Sequence, residues 1–139
     1  MSTRVKIRSA TAIWILGICI MSMLTSAAHA DVFTCGKASG ASIFSMEGFK
    51  VIEDGIPGNG FRILATSSEL QFLGVDGKLK TVSQTPNTIS AIATTTSPMG
   101  DVVLLYTFDR QRKVLYISAH KDMTLVNGSG AGTYVSRCK

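Results

Sequence analysis

The sequence predicts an all-β domain, a small antiparallel meander closing into a barrel with a β-sandwich as the alternative, behind a cleavable export signal. Three observations carry this expectation. Short apolar and β-branched runs recur roughly every 8 to 15 residues beyond residue 30, separated by turn residues. No window there sustains a helical apolar period over three turns. Two cysteines, Cys35 and Cys138, stand near opposite ends of the same stretch.

Residues 1–30 read as a secretory signal rather than as fold. Arg4, Lys6 and Arg8 form a basic segment without an acid, Ala10 to Leu24 is apolar, and Ala28-His29-Ala30 offers small residues at both positions a signal peptidase reads. Cleavage is expected before Asp31. The apolar run is shorter than the about 20 residues that cross a bilayer, and no second such run follows, so no transmembrane segment is expected after cleavage. Ile18 precedes Cys19 where a lipidation site needs a small residue, and Arg4 and Arg8 are not paired as a twin-arginine signal requires.

Length and charge narrow the class. The 139 residues carry 14 basic and 9 acidic side chains for a net +5, with 45% apolar and 17% charged residues, which excludes a multidomain enzyme and a disordered chain. Residues 31–139 keep 11 basic and 9 acidic side chains, a net +2. That balance, without aromatics between the basic residues, argues against nucleic acid. In an oxidising compartment, periplasmic or extracellular, Cys35 and Cys138 are expected to form one disulfide joining the first and last strands. No C-x-x-C spacing supports a redox or metal pair.

The elements follow in order. Val32 to Lys37 is a first strand carrying Cys35. Ile43 to Met46 and Phe49 to Ile52 form one kinked strand or two short ones around Gly48, and Glu53 to Gly60 is a Gly- and Pro-containing loop. Phe61 to Thr66 is a strand. Leu70 to Val75 and Lys78 to Val82 flank Asp76-Gly77, which suits a type I′ hairpin. Thr88 to Thr96, ending in a hydroxyl-rich tract before Pro98, reads as an edge strand. Val102 to Phe108 and Lys113 to Ala119 make the most apolar hairpin, with Val102, Leu104, Tyr106 and Phe108 on one face and Val103 and Leu105 on the other. Asn127 to Gly132 reads as a flexible loop, and Tyr134 to Cys138 as the closing strand, pinned beside the first.

Chemistry-bearing residues are sparse. His120 is the only histidine after residue 30. Ser118, His120 and Asp122 alternate on one strand face, but residues two apart in a strand sit about 7 Å from each other, too far for nucleophile and base hydrogen bonds. No metal-binding, phosphate-cradling, dinucleotide or nucleophile-elbow motif is present, so no enzyme, cofactor or metal site is expected. Gly128, Gly130 and Gly132 lack the strand-to-helix context of a phosphate loop, and Asn127-Gly128-Ser129 is formally a glycosylation acceptor. Arg110, Arg112 and Lys113 cluster at the predicted hairpin tip, with Lys121, Arg137 and Lys139 as candidate neighbours.

The strand Val32-Phe33-Thr34-Cys35-Gly36, a cysteine near the C-terminus and an all-β stretch of this size between them resemble the periplasmic C-type lysozyme inhibitors. The resemblance is one of architecture and implies a small disulfide-closed barrel. That family presents a Ser-Gly-x-x-Tyr loop to lysozyme. Here Ser129-Gly130-Ala131-Gly132-Thr133-Tyr134 is one residue longer and lies beside the last cysteine.

The expectation for function is therefore a non-enzymatic interaction module of the bacterial envelope, its partner an envelope or extracellular protein. Tyr106, Tyr116, Arg110, Arg112 and Lys113 would then form one surface patch. The alternatives are a lysozyme-inhibitor-like protein, or a small carrier whose apolar ligand fills a cavity lined by Leu104, Tyr106, Leu115 and Ile117.

Overall fold

The computed structural model describes residues 30–56, 58–74 and 79–139. The expected signal segment thus lies outside the described residues except for Ala30, as does the Asp76-Gly77 turn. Ten strands follow one another: β1 (Asp31–Cys35), β2 (Ala38–Phe44), β3 (Val51–Ile56), β4 (Phe61–Ala65), β5 (Leu70–Leu73), β6 (Lys80–Gln84), β7 (Thr88–Ser97), β8 (Gly100–Asp109), β9 (Val114–Met123) and β10 (Gly128–Arg137). Single 3-10 turns at Ser45–Glu47 and Thr124–Val126 are the helical elements among the described residues, and no helix there is long and apolar enough to cross a membrane.

All pairing is antiparallel. β1, β4 and β5 form a three-stranded sheet in the order β1-β4-β5, and the rest form a seven-stranded sheet in the order β3-β2-β10-β9-β8-β7-β6. The sheets meet at an isolated bridge between Cys35 and Cys138, which are joined by the disulfide. Exchanged backbone bonds between Thr34 and Lys139 flank it. No closed ring of strands is formed among the described residues.

The core lies between the sheets. Phe108, Leu115 and Ile117 of the predicted apolar hairpin are fully buried with Ile63, Leu70 and Ile89, each such burial contributing about 1.5 to 3 kcal/mol. Phe33 packs on Phe108 with ring centroids 4.7 Å apart, and Phe72 meets Tyr106 edge-on at the same separation.

Four expectations need correction. Leu70 to Val75 and Lys78 to Val82 do not pair as a hairpin, because β5 pairs with β4 and β6 with β7, in different sheets. The tight turn that does organise β5 is Thr66–Glu69, where the Thr66 hydroxyl accepts from the Ser68 and Glu69 amides. β7 is not an edge strand along its length, since β6 pairs with its first half. Its Ala93–Ser97 segment has β8 as sole partner, so the hydroxyl tract does lie at an open edge. The expected loop 53–60 starts later, because β3 runs to Ile56.

Asn127 to Gly132 is not a flexible loop: Gly128 opens β10, a ten-residue strand paired with β9 throughout and with β2 from Gly130 to Val135. The expected closing strand Tyr134 to Cys138 is the end of β10 and the residue that follows it, set beside β1 by the Cys35–Cys138 bridge, while β10 itself is interior to the large sheet. Its inward Gly128, Gly130 and Gly132 are bare positions covered by larger side chains. A Cβ on Gly130 would stand 2.3 Å from the Phe44 ring, one on Gly132 2.6 Å from the Tyr134 hydroxyl, and one on Gly128 3.1 Å from Met46. Tertiary cover replaces the packing that glycine lacks, which a local reading of Gly-rich sequence cannot anticipate.

Candidate functional site: a groove in the outer sheet face

The three-stranded sheet covers only the inner face of the seven-stranded one. The outer face has its own order, because in-register pairing lines up side chains in rows. One row is Val51, Ile43, Ala131, His120, Val103 and Thr94 across β3, β2, β10, β9, β8 and β7. The next is Glu53, Ala41, Thr133, Ser118, Leu105 and Ile92.

The first row dips at β10, and the second is low across β2, β10 and β9 at Ala41, Thr133 and Ser118. The outward residues of the first half of β10 are small (Ser129, Ala131, Thr133), whereas Ile43 and Val51 rise on one side and His120 and Val103 on the other. The result is a groove containing two adjoining cavities of about 310 and 360 Å³. The first is lined by Ala41, Ile43, Val51, Ser118, His120 and Thr133; the second adds Phe49, Val103, Asp101, Asp122 and Ser129. Ile43, His120 and Ala131 belong to both.

Phe49 reaches this groove by an unusual backbone path. Gly48 and Phe49 are both left-handed, with φ of 68° and 58°. Glycine adopts this freely, but for phenylalanine it costs on the order of 1 to 2 kcal/mol. The Phe49 amide bonds the Phe44 carbonyl at 3.0 Å, closing the turn that presents its ring.

Ser118, His120 and Asp122 all lie on the groove side of β9, alternating with Ala119 and Lys121. Among the described residues no group of three His, Cys, Asp or Glu side chains could hold a metal ion.

The residues singled out from sequence do not form one patch. Tyr106 faces inward against Phe72, and burial pushes its hydroxyl pKa up. Tyr116 is on the opposite, outer face and is exposed. Arg110 is tied down: its Nη2 donates to the Thr66 carbonyl and its amide to the Asn87 carbonyl. Arg112 projects from the tip, with its amide and guanidinium both donating to Asp109 at 2.8 Å. Those two bonds hold the Asp109 carboxyl below its usual pKa, the backbone bond contributing most. Lys113 is exposed with φ of 53°. Leu104, Tyr106, Leu115 and Ile117 belong to the packed core rather than to a cavity wall.

Most groove residues escaped the sequence reading. Ala41, Ile43, Val51, Val103 and Ala131 are ordinary strand residues until pairing aligns them. One signal was present: in Gly-Ser-Gly-Ala-Gly-Thr, glycine alternates strictly with small polar or methyl side chains, a period of two that fits a strand with two distinct faces.

Ser129 to Tyr134, the segment that the lysozyme-inhibitor resemblance would make an exposed loop, is bonded on both sides inside the sheet. Compared with known proteins, the chain matches no protein family, no curated protein and no solved structure.

Proposed function

We propose that this chain is an exported, non-enzymatic binding module that holds its partner in the outer-face groove along β10. The observation that carries the reading is the groove itself. An uncovered sheet face is normally flat and hydroxyl-rich, whereas this one has a floor of Ala41, Ala131 and Thr133 between apolar walls at Ile43, Val51 and Val103. A groove running along a strand suits an extended occupant, either a polypeptide segment of an envelope or extracellular protein or an apolar chain of a small molecule. The Cys35–Cys138 disulfide fits an oxidising compartment, periplasmic or extracellular. Two sheets meeting at one bridge favour the sandwich alternative over a closed barrel. Packing of Leu104, Tyr106, Leu115 and Ile117 into the core counts against an internal carrier cavity, and the paired backbone of Ser129 to Tyr134 counts against an inhibitory loop.

The test is a matched capture experiment. Oxidised wild-type protein and Ala131→Arg, which fills the groove from an outward position, are used as bait on an envelope extract, with protein and organic-extractable material both analysed. A species retained by wild type and lost with Ala131→Arg is expected. Equal retention by the two baits, or none by either, overturns the groove as the binding surface.

A further inference from the structure

The two ends of the seven-stranded sheet differ sharply in chemistry. Antiparallel order puts the β2–β3, β7–β8 and β9–β10 connections at one end, and the β6–β7 and β8–β9 turns with the chain terminus after β10 at the other. At the first end Met46, Phe49, Val51, Met99, Leu125 and Val126 are between 53% and 76% exposed. At the second, the corresponding residues are Thr85, Pro86, Asn87, Arg110 to Lys113, and Lys139, with no large exposed hydrophobic among them. Exposed apolar side chains gathered on three neighbouring connections at one end mark an interaction surface.

We propose that this apolar end inserts shallowly into the interfacial layer of a zwitterionic lipid membrane. Shape favours lipid over a protein partner. Met46, Met99, Leu125 and Val126 stand exposed on three separate connections outside the groove lining, and a fluid layer accepts such tips without a matching recess. Backbone chemistry fits as well, because a low-dielectric layer penalises unpaired amides. The Gly48 amide bonds the Ser45 carbonyl, the Asn127 amide the Thr124 carbonyl, the Met99 amide the Ser97 hydroxyl, and the Ser129 amide the Ser45 hydroxyl. These tips therefore carry much of their own hydrogen bonding into the layer.

Charge selects the lipid class. Glu47, Asp101 and Asp122 share this end with Lys50 and Lys121, Asp101 and Asp122 facing each other across β8 and β9, and the Lys121 ammonium lies 5.4 Å from the centre of the Phe44 ring. A belt of both signs complements headgroups that carry a phosphate and an ammonium. It has no basic excess to draw the end to an anionic surface. The same slight acidic excess disfavours pairing of this end with its own copy. The inference does not rest on the groove, since Met99, Leu125 and Val126 lie outside its lining.

The test uses single tryptophans in the exported, processed protein, from which the native indole, Trp14, is expected to be removed with residues 1–30. Leu125→Trp reports the apolar end and Lys113→Trp the opposite one. With phosphatidylcholine vesicles, Leu125→Trp emission is expected to shift blue and to be quenched by brominated acyl chains, while Lys113→Trp does neither. Met99→Ser combined with Leu125→Ser, both exposed and without core contacts, is expected to lower vesicle partitioning at least tenfold while leaving the groove capture unchanged. Absence of a lipid-dependent shift, equal quenching at the two ends, or unchanged partitioning of the double serine variant overturns the proposal. So does a blue shift that follows protein concentration without vesicles, which would identify the end as a self-association face.

Discussion

Tyr134 of β10 reaches across the bare backbone of Gly40 and donates its hydroxyl to Asp54 Oδ2 at 2.8 Å, tying the edge strand β3 to the interior of the sheet two strands away. Partial burial and the Asp54 hydrogen bond push the Tyr134 hydroxyl up to about 12, and that bond together with the Gly55 amide lowers the Asp54 pKa. Tyr134→Phe is expected to cost about 1 to 2 kcal/mol at neutral pH. Both pH limbs carry the signature. A raised tyrosine pKa contributes stability below pH 10 that is lost as pH rises through about 12, and a depressed aspartate pKa contributes stability above 3.8 that is lost as pH falls below it. The stability difference between wild type and Tyr134→Phe should therefore shrink at both extremes in denaturant titrations across pH.

Gly40 makes that crossing possible. A Cβ there would stand 1.9 Å from the Thr133 carbonyl oxygen, a backbone atom that cannot swing away. Gly40→Ala is expected to destabilise by about 3 kcal/mol or more. Gly48→Ala meets open space and only the left-handed backbone penalty, about 1 kcal/mol. Equal midpoints for the two variants in urea would show that the sheet relaxes around Gly40.

The disulfide closes a sequence separation of 103 residues and fastens the two sheets at their one bridge. Reduction, or paired Cys35→Ser and Cys138→Ser, is expected to lower stability by about 4 to 5 kcal/mol. Chemical unfolding with and without reductant reads this directly. Loss should appear first at β1, whose other hydrogen-bonded neighbour is β4 alone.

The two tip arginines should behave differently. Arg110→Ala removes a charge-assisted bond to the Thr66 carbonyl that ties the β8–β9 turn to the β4–β5 turn, a loss of about 2 kcal/mol. Arg112→Ala removes an exposed ion pair but keeps its backbone amide on Asp109, so its thermal midpoint should match wild type. Asp109→Ala removes both bonds and should lower the midpoint.

Local pattern was enough wherever one segment's alternation answered to one face. The β8–β9 hairpin is the clearest case: Tyr106, Phe108, Leu115 and Ile117 point inward as their spacing requires. The Cys35–Cys138 pairing was legible because the stretch after residue 30 holds two cysteines, which allow one bridge. Asp76-Gly77 misled because a turn signal says nothing about strand partners. Leu70 is fully buried in the core between the sheets, and Phe72 packs against Tyr106 of β8.

By itself the sequence determined the strand-rich class, the crosslink and the core hairpin, since these follow from residue period and from chemistry within one segment. Tertiary structure alone decided that Gly128 to Gly132 is a strand, that its small outward residues floor a groove, and that three distant connections share one apolar end. Each depends on which strands become neighbours, and glycine acquires a fixed conformation only when Phe44, Tyr134 and Met46 arrive from elsewhere in the chain to cover it.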